Sequence, residues 1–344
     1  MERGMHGTQE TYKLFLPVWY LIAVAGLYFD VWYHLVIGRD EFWTIPHIFI
    51  LCGQILHTLY AWILVRDYQK NRRESLHAAY WYLGVQILFF VGLAFDASWH
   101  ELIGQETIDT ALVLWGPPHQ IIALPLLLSP FLLDRILGTL PEPNRSALRL
   151  MAYGTLFAFV YFHFQPLWPL GAYRVIGAYG ELAMLGLLGL ALSWSALRLK
   201  PVLLPATILS LIFLSMGAIM SWGEASNVPR AHGTFGIPAY PFWITFFSFF
   251  IAAVAYDSTR FFRVPFVLRG AMWGGIQGGL YYSAAKLWVD WSPAGIFTMW
   301  KFFPGVFLTW DSVISFTLLG AMGGGIGAWM AAHLYKIIAD AHEV

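Results

Sequence analysis

Stretches of about 20 predominantly apolar residues recur along the whole chain, each long enough to cross a hydrocarbon core of about 30 Å. They make the chain an all-α, polytopic membrane protein. Only 12% of its 344 residues are charged and 58% are hydrophobic, whereas a soluble domain carries roughly a quarter charged residues. So sparse a charge cannot clothe a water-facing surface, and most of the exterior must face a lipid bilayer. The formal net charge is zero, which points away from a nucleic-acid partner. Cys52 is the only cysteine, so a disulfide framework and any multi-cysteine zinc or iron–sulfur site are excluded. The polar start, MERGMHGTQETYKLF, runs straight into a long apolar segment and does not read as a cleavable signal peptide.

About ten spans are expected, near 13–37, 45–66, 78–103, 117–134, 147–166, 175–198, 201–222, 240–259, 268–288 and 311–337. Proline opens several of them, as at Pro46, Pro117–Pro118 and Pro201, where its missing N–H costs least. Basic residues then crowd alternate connections: Arg66, Lys70, Arg72 and Arg73; Arg135, Arg145 and Arg149; Arg198 and Lys200; Arg260, Arg263 and Arg269. By the positive-inside rule both termini are cytoplasmic in a cell inner (cytoplasmic) membrane, and the first, third and fifth loops face outward. The whole chain, 1–344, is expected to form one transmembrane domain.

Residues 26–40 read GLYFDVWYHLVIGRD and residues 92–106 read GLAFDASWHELIGQE, two copies of one pattern sixty-six positions apart. After each copy the next helix opens on a Pro-His pair, Pro46-His47 and Pro118-His119. The repeating unit is therefore a helical hairpin, 13–66 and 78–134, with its polar residues at the outer end. Degenerate copies are expected over 147–259, where Tyr161-Phe162-His163 echoes Tyr28-Phe29-Asp30 and Pro229-Arg230-Ala231-His232 echoes the Pro-His openings. A C-terminal helix pair over 268–337 follows. Duplicated membrane units commonly build their site where the copies meet.

Asp30 and His34 are four apart on a helix and share one face, and His47 begins the next helix across a short loop. Asp96, His100 and His119 repeat the arrangement on the same side of the membrane. Asp with His at this spacing also reads as an interhelical hydrogen bond, but an ionisable group in a span is costly and the same three residue types recur with the same flanking Pro and Gly. Both triplets are therefore expected to bind metal, as two sites or as halves of one. His163, Glu224 and His232 would complete a site if the later hairpins are true copies. Glu41, Glu101 and Glu106 are the expected partners for the second nitrogens of the imidazoles. Imidazole suits copper, zinc, iron and nickel, and a single carboxylate is compatible with all four, so the ligand set leaves the metal open.

The spacing D-x3-H-x12-H of Asp30, His34 and His47 resembles the copper-site motif of the C subunit of the particulate methane and ammonia monooxygenase family. That resemblance implies copper held in a membrane helical subunit and hydroxylation of small apolar molecules or ammonia. The second triplet keeps the first interval but places His119 six residues later.

The function expected is a metal-dependent, copper-binding membrane oxidoreductase or monooxygenase subunit acting on a small apolar substrate, served by an electron donor and by further membrane subunits. Three alternatives stand beside it: a transporter or channel using the Asp/His pairs for protons or metal, a structural subunit of a respiratory or photosynthetic complex, and an intramembrane zinc hydrolase. The glycine-rich runs GAMWGGIQGG and LLGAMGGGIGAW predict close helix packing, not phosphate binding. Cys52 and His57 are expected inside the fold, as core and as a packing or supporting group, and His77 in solvent. The topology is checked by cysteine labelling: reagent should reach position 72 only from inside and position 40 only from outside, and labelling of both from one side contradicts it.

Overall fold

The computed structural model describes residues 12–36, 43–73, 75–103, 116–142, 144–164, 174–199, 202–213, 215, 242–291 and 309–340. Among them there is helix and no strand. The helices are α1 (Tyr12–Val36), α2 (Ile45–Lys70), α3 (Leu76–Ile103), α4 (Pro117–Leu137), α5 (Asn144–Phe164), α6 (Arg174–Arg198), α7 (Phe242–Ser258), α8 (Phe266–Trp291) and α9 (Trp310–Asp340). Residues 205–213 are helical as well, within the remaining expected span. Five stretches are long and apolar enough to cross a membrane: Tyr12–Asp30, Ile45–Lys70, Leu76–Ile103, Pro117–Leu137 and Trp310–Ile337.

Local chemistry sets the helix ends. Proline occupies the first turn of α2 and of α4. At the close of α2, Arg72 takes a left-handed backbone (φ 50°) and the Arg73 N–H donates to the Tyr68 carbonyl at 3.0 Å, reversing the chain toward α3. Before α5, the Glu142 carboxylate accepts from the Ser146 N–H at 3.2 Å and from Arg145 Nε at 2.8 Å. The Ser146 hydrogen bond and the Arg145 guanidinium hold that carboxyl below the usual range.

The chain divides into two compact units, Met1–Val31 with Asp40–Phe159, and Trp32–Arg39 with Val160–Val344. In the first, α3 packs on α2 and on α4. Its core at the basic-turn end gathers Leu16, Leu64, Tyr68, Tyr82, Leu133 and Leu148. Lys13 is fully buried there, donating to Thr139 Oγ1 at 2.9 Å with its ammonium 5.1 Å from the centre of the Tyr68 ring. Arg149 and Asp134 form a buried ion pair close by.

In the second unit α9 packs along α8 and α6. The contact is made by backbone, because Gly270 and Gly274 of α8 face Gly324 and Gly320 of α9 with no side chain between. A Cβ on Gly189 of α6 would come 3.0 Å from Gly324 Cα. The opposite side of α9 exposes Ile314, Leu318, Met322, Ile326 and Trp329 in one stripe, a surface suited to lipid. Asp257, at the end of α7, is buried and accepts from the Thr207 N–H and hydroxyl, both at 2.8 Å, satisfying the start of the helix at 205–213. Around Tyr161, Phe213, Phe249 and Trp273 the rings meet edge to face or tilted.

The glycine contact gives a first test. Gly274→Ala puts a methyl against the Gly320 carbonyl and should cost about 1–3 kcal/mol. Gly84→Ala, on α3 where nothing lies within 4 Å, should be neutral or stabilising by up to about 1 kcal/mol. Thermal unfolding of the two variants in detergent measures the difference, and equal stabilities would contradict the packing.

Candidate metal centres

The ends of α1 and α2 away from the basic turns bring Asp30 and His47 together, with His47 Nε2 3.1 Å from Asp30 Oδ1. The ends of α3 and α4 do the same, with His119 Nε2 3.3 Å from Asp96 Oδ1. All four side chains are largely but not fully covered, at 27% and 19% exposure in the first pair and 23% and 16% in the second. The carboxylate oxygens that face the imidazoles, Asp30 Oδ1 and Asp96 Oδ1, are themselves buried.

Helix packing one turn deeper positions both pairs. Gly26 of α1 lies against Ile50 of α2, so closely that a Cβ would meet Ile50 Cγ1 at 2.7 Å. Gly92 of α3 lies against Ile122 of α4, where the corresponding distance is 2.8 Å. Asp30 and Asp96 each follow their glycine by four residues, and His47 and His119 each precede their isoleucine by three. Each carboxylate and imidazole thus stands one helical turn beyond a point where two backbones almost touch.

The donor separations fit a metal. Two bonds of about 2.0–2.2 Å meeting at tetrahedral to octahedral angles hold their donor atoms about 2.8–3.6 Å apart. An imidazole–carboxylate hydrogen bond occupies the same interval, and the His47 tautomer separates the two cases. Thr44 Oγ1 is 3.2 Å from His47 Nδ1. If Nδ1 carries the proton and donates to Thr44, the Nε2 lone pair faces a carboxylate oxygen, and a cation between them removes the repulsion. If Nε2 carries the proton, it donates to Asp30 and the Thr44 hydroxyl donates to Nδ1. Thr44 is thus a group that orients His47. Glu101 is exposed in the last turn of α3, and Glu41 and Glu106 lie outside the described residues.

His34 and His100 are in the helical backbone of α1 and α3, but their side chains lie outside the described residues, as do Glu224 and His232 altogether. The described part of each triplet is accordingly a pair, and no group of three or more potential ligands occurs among the described residues. His163 is buried in the second unit. Cys52 is exposed on α2, not in the core as expected: the core face of that helix carries Ile50, Gly53, Gln54 and His57.

Of a buried polar layer deeper in the first unit, only His57 was read from the sequence. His57 Nε2 is hydrogen-bonded to the Tyr82 hydroxyl, and Tyr20 donates to the Leu126 carbonyl at 2.8 Å. Gln54 donates to Gln86 Oε1 at 2.9 Å, and Gln86 to Ser129 Oγ at 2.8 Å. The signal was present, since Gln54 with His57 and Tyr82 with Gln86 are polar pairs at helical spacing inside apolar spans.

Because Gly26 and Gly92 stand in equivalent contacts, Gly26→Val and Gly92→Val should destabilise the protein alike, each by about 1–3 kcal/mol. Denaturant or thermal unfolding in detergent reads this, and a loss at one position only would mean that the two hairpins are packed by different means. No family model, no curated protein and no solved structure matches this chain.

Proposed function

We propose that the chain is a metal-dependent membrane oxidoreductase or monooxygenase subunit acting on a small apolar substrate. Asp30, His34 and His47 hold one metal, and Asp96, His100 and His119 hold a second or complete the first. The observation that carries this reading is the recurrence of one carboxylate–imidazole pair, at 3.1 Å and 3.3 Å, on corresponding turns of two hairpins. Copper is the metal favoured by the resemblance of the first triplet to the monooxygenase C subunit, and iron or zinc would accept the same donors.

The fuller architecture belongs to the same proposal: about ten spans, both termini cytoplasmic, hairpins related as internal copies, and the metal centres toward the outer face. Support comes from helices in the expected places and from the matched glycine, isoleucine, aspartate and histidine contacts.

Bound copper would supply one-electron and oxygen chemistry. The chain's own residues hold it and shape access to it. Asp30 and Asp96 balance the cation's charge, and Thr44 fixes which nitrogen of His47 faces the carboxylate. Beside His47, Trp43, Ile45, Ile48 and Phe49 are exposed and apolar, which favours a substrate arriving through the bilayer. Reducing equivalents come from a separate donor, a membrane quinol or a soluble redox protein outside, with partner subunits completing the assembly. Transport through the buried polar layer is less well supported. Helices α2 and α3 pass that layer unbroken, whereas transporter sites are typically built on interrupted helices.

Elemental analysis of the purified chain with Asp30→Asn and Asp96→Asn tests the proposal. Asparagine keeps an acceptor for the imidazole but removes the anionic ligand. Both variants should keep their helical content by circular dichroism and lose bound copper or iron, half in each if the sites are separate and most in either if they are shared. Wild-type protein without stoichiometric metal, or variants that retain it, would overturn the assignment.

A further inference from the structure

Helices α2 and α3 leave a groove of about 320 Å³ between them on the outside of the first unit, lined by Ile55, Thr58, Leu59, Trp62, Leu83 and Ile87 together with Phe90. The hydroxyl of Thr58 is spent on its own helix, donating to the Gln54 carbonyl at 2.8 Å, so the wall is apolar throughout. Ile55, Leu59, Trp62 and Ile87 are each about half exposed. Toward the α2–α3 turn, Gln69 hydrogen-bonds to the Tyr80 hydroxyl across the two helices.

Positive charge follows Trp62 along α2 and in the turn after it. Arg66, one turn past Trp62, holds its guanidinium 5.9 Å from the centre of that ring. Lys70, Arg72 and Arg73 follow, all exposed. Of the two acids in this turn, Asp67 is engaged by the Tyr12 hydroxyl at 2.8 Å and by Asn71 Nδ2 at 2.7 Å. Glu74 is the other, and cations outnumber acids.

We infer that this groove and the basic turn below it bind one phospholipid with a net negative headgroup, an acyl chain in the groove and the phosphate on Arg66 and Arg72. The dimensions match. The eleven residue-to-residue steps from Ile55 to Arg66 rise about 16 Å, close to the roughly 15 Å of one leaflet's hydrocarbon. A chain end at Ile55 therefore places the headgroup at the level of Arg66. Charge selects among lipids, because each nearby cation favours an anionic headgroup by about fivefold. The site is independent of the metal centres, which stand at the other end of the same helices.

Native mass spectrometry of the full chain in detergent, titrated with dioleoyl-phosphatidylglycerol or with dioleoyl-phosphatidylcholine, tests this. One phosphatidylglycerol should remain on each chain, bound at least tenfold more tightly than phosphatidylcholine. The triple variant R66Q/R72N/R73Q, with asparagine chosen at 72 because it tolerates the left-handed backbone, should lose that preference. Ile87→Trp should fill the groove and remove the retained lipid of either kind. Arg145→Gln, at a different basic turn, should change neither. Equal binding of the two lipids by the native chain, a preference that survives in the triple variant, or a phosphatidylglycerol still held by Ile87→Trp would each overturn the site. So would a dimer of the chain that excludes both lipids and is broken by Ile87→Trp, since the groove would then be a contact between copies.

Discussion

A backbone amide left unpaired in hydrocarbon costs several kcal/mol, so a segment crossing a bilayer pairs its own polar groups as helix. This fixes the secondary structure of the chain but leaves its assembly open. Between lipid and a leucine face there is little hydrophobic preference, so helices associate through close packing and through hydrogen bonds. The two units rely on these to different degrees. In the second, glycines on α6, α8 and α9 let backbones meet, and the large apolar side chains of α9 are turned outward. In the first, a layer of buried polar side chains bridges α2, α3 and α4 through Gln54, Gln86 and Ser129, with His57 and Tyr82 beside it.

Ionisable groups obey the same constraint. Apart from His57 in the buried layer, several of those in the first unit are engaged toward its two ends: Lys13 with Thr139, Arg149 with Asp134, Asp67 with Tyr12, and the two aspartates with their histidines. The ends differ in kind. At the basic turns the partners are shielded and structural, with Lys13, Arg149 and Asp134 all buried. At the other end the Asp–His pairs are partly open and carry groups able to ligate a metal. A partly exposed pair is poorer as a device for stability, because water and salt weaken it, and that difference makes this end the place to look for chemistry.

Much of this was legible in residue patterns. Helix positions followed from apolar runs and from Pro46 and Pro117–Pro118, and the contact of α8 with α9 from small residues at helical spacing. The Asp30–His47 and Asp96–His119 pairs followed from spacing and repetition. What stayed hidden depends on which side of a helix faces the protein. In a soluble helix, polarity marks the outer face; in a span, both faces are apolar, and Cys52 reads like core although it is exposed. The Gln54–Gln86 and His57–Tyr82 contacts join residues of different helices, and their partners are set by helix rotation and depth, which no single span encodes. Thr44 was missed for a simpler reason. It precedes α2 by one residue, and its role depends on a short-range turn and not on a ligand motif.

The connection between α3 and α4 has six more residues than that between α1 and α2, counted between the aspartates and their following histidines. A site shaped by its loop would be altered by such an insertion. Yet the glycine–isoleucine approach is the same to within 0.1 Å, 2.7 Å against 2.8 Å, and the donor separations are 3.1 Å and 3.3 Å. Loop length and pair geometry are therefore uncoupled, and packing one turn beneath each pair sets the separation of carboxylate and imidazole. Deeper still the likeness ends. Gly53 abuts Ala23 in the first hairpin, and the positions corresponding by the same offsets, Phe89 and Pro125, are a large ring and a proline. The two hairpins agree over the turns that hold the Asp–His pairs and diverge where the chain builds its polar layer. That distribution is expected if the geometry of the pairs, and not the hairpin as a whole, is what the shared residues maintain.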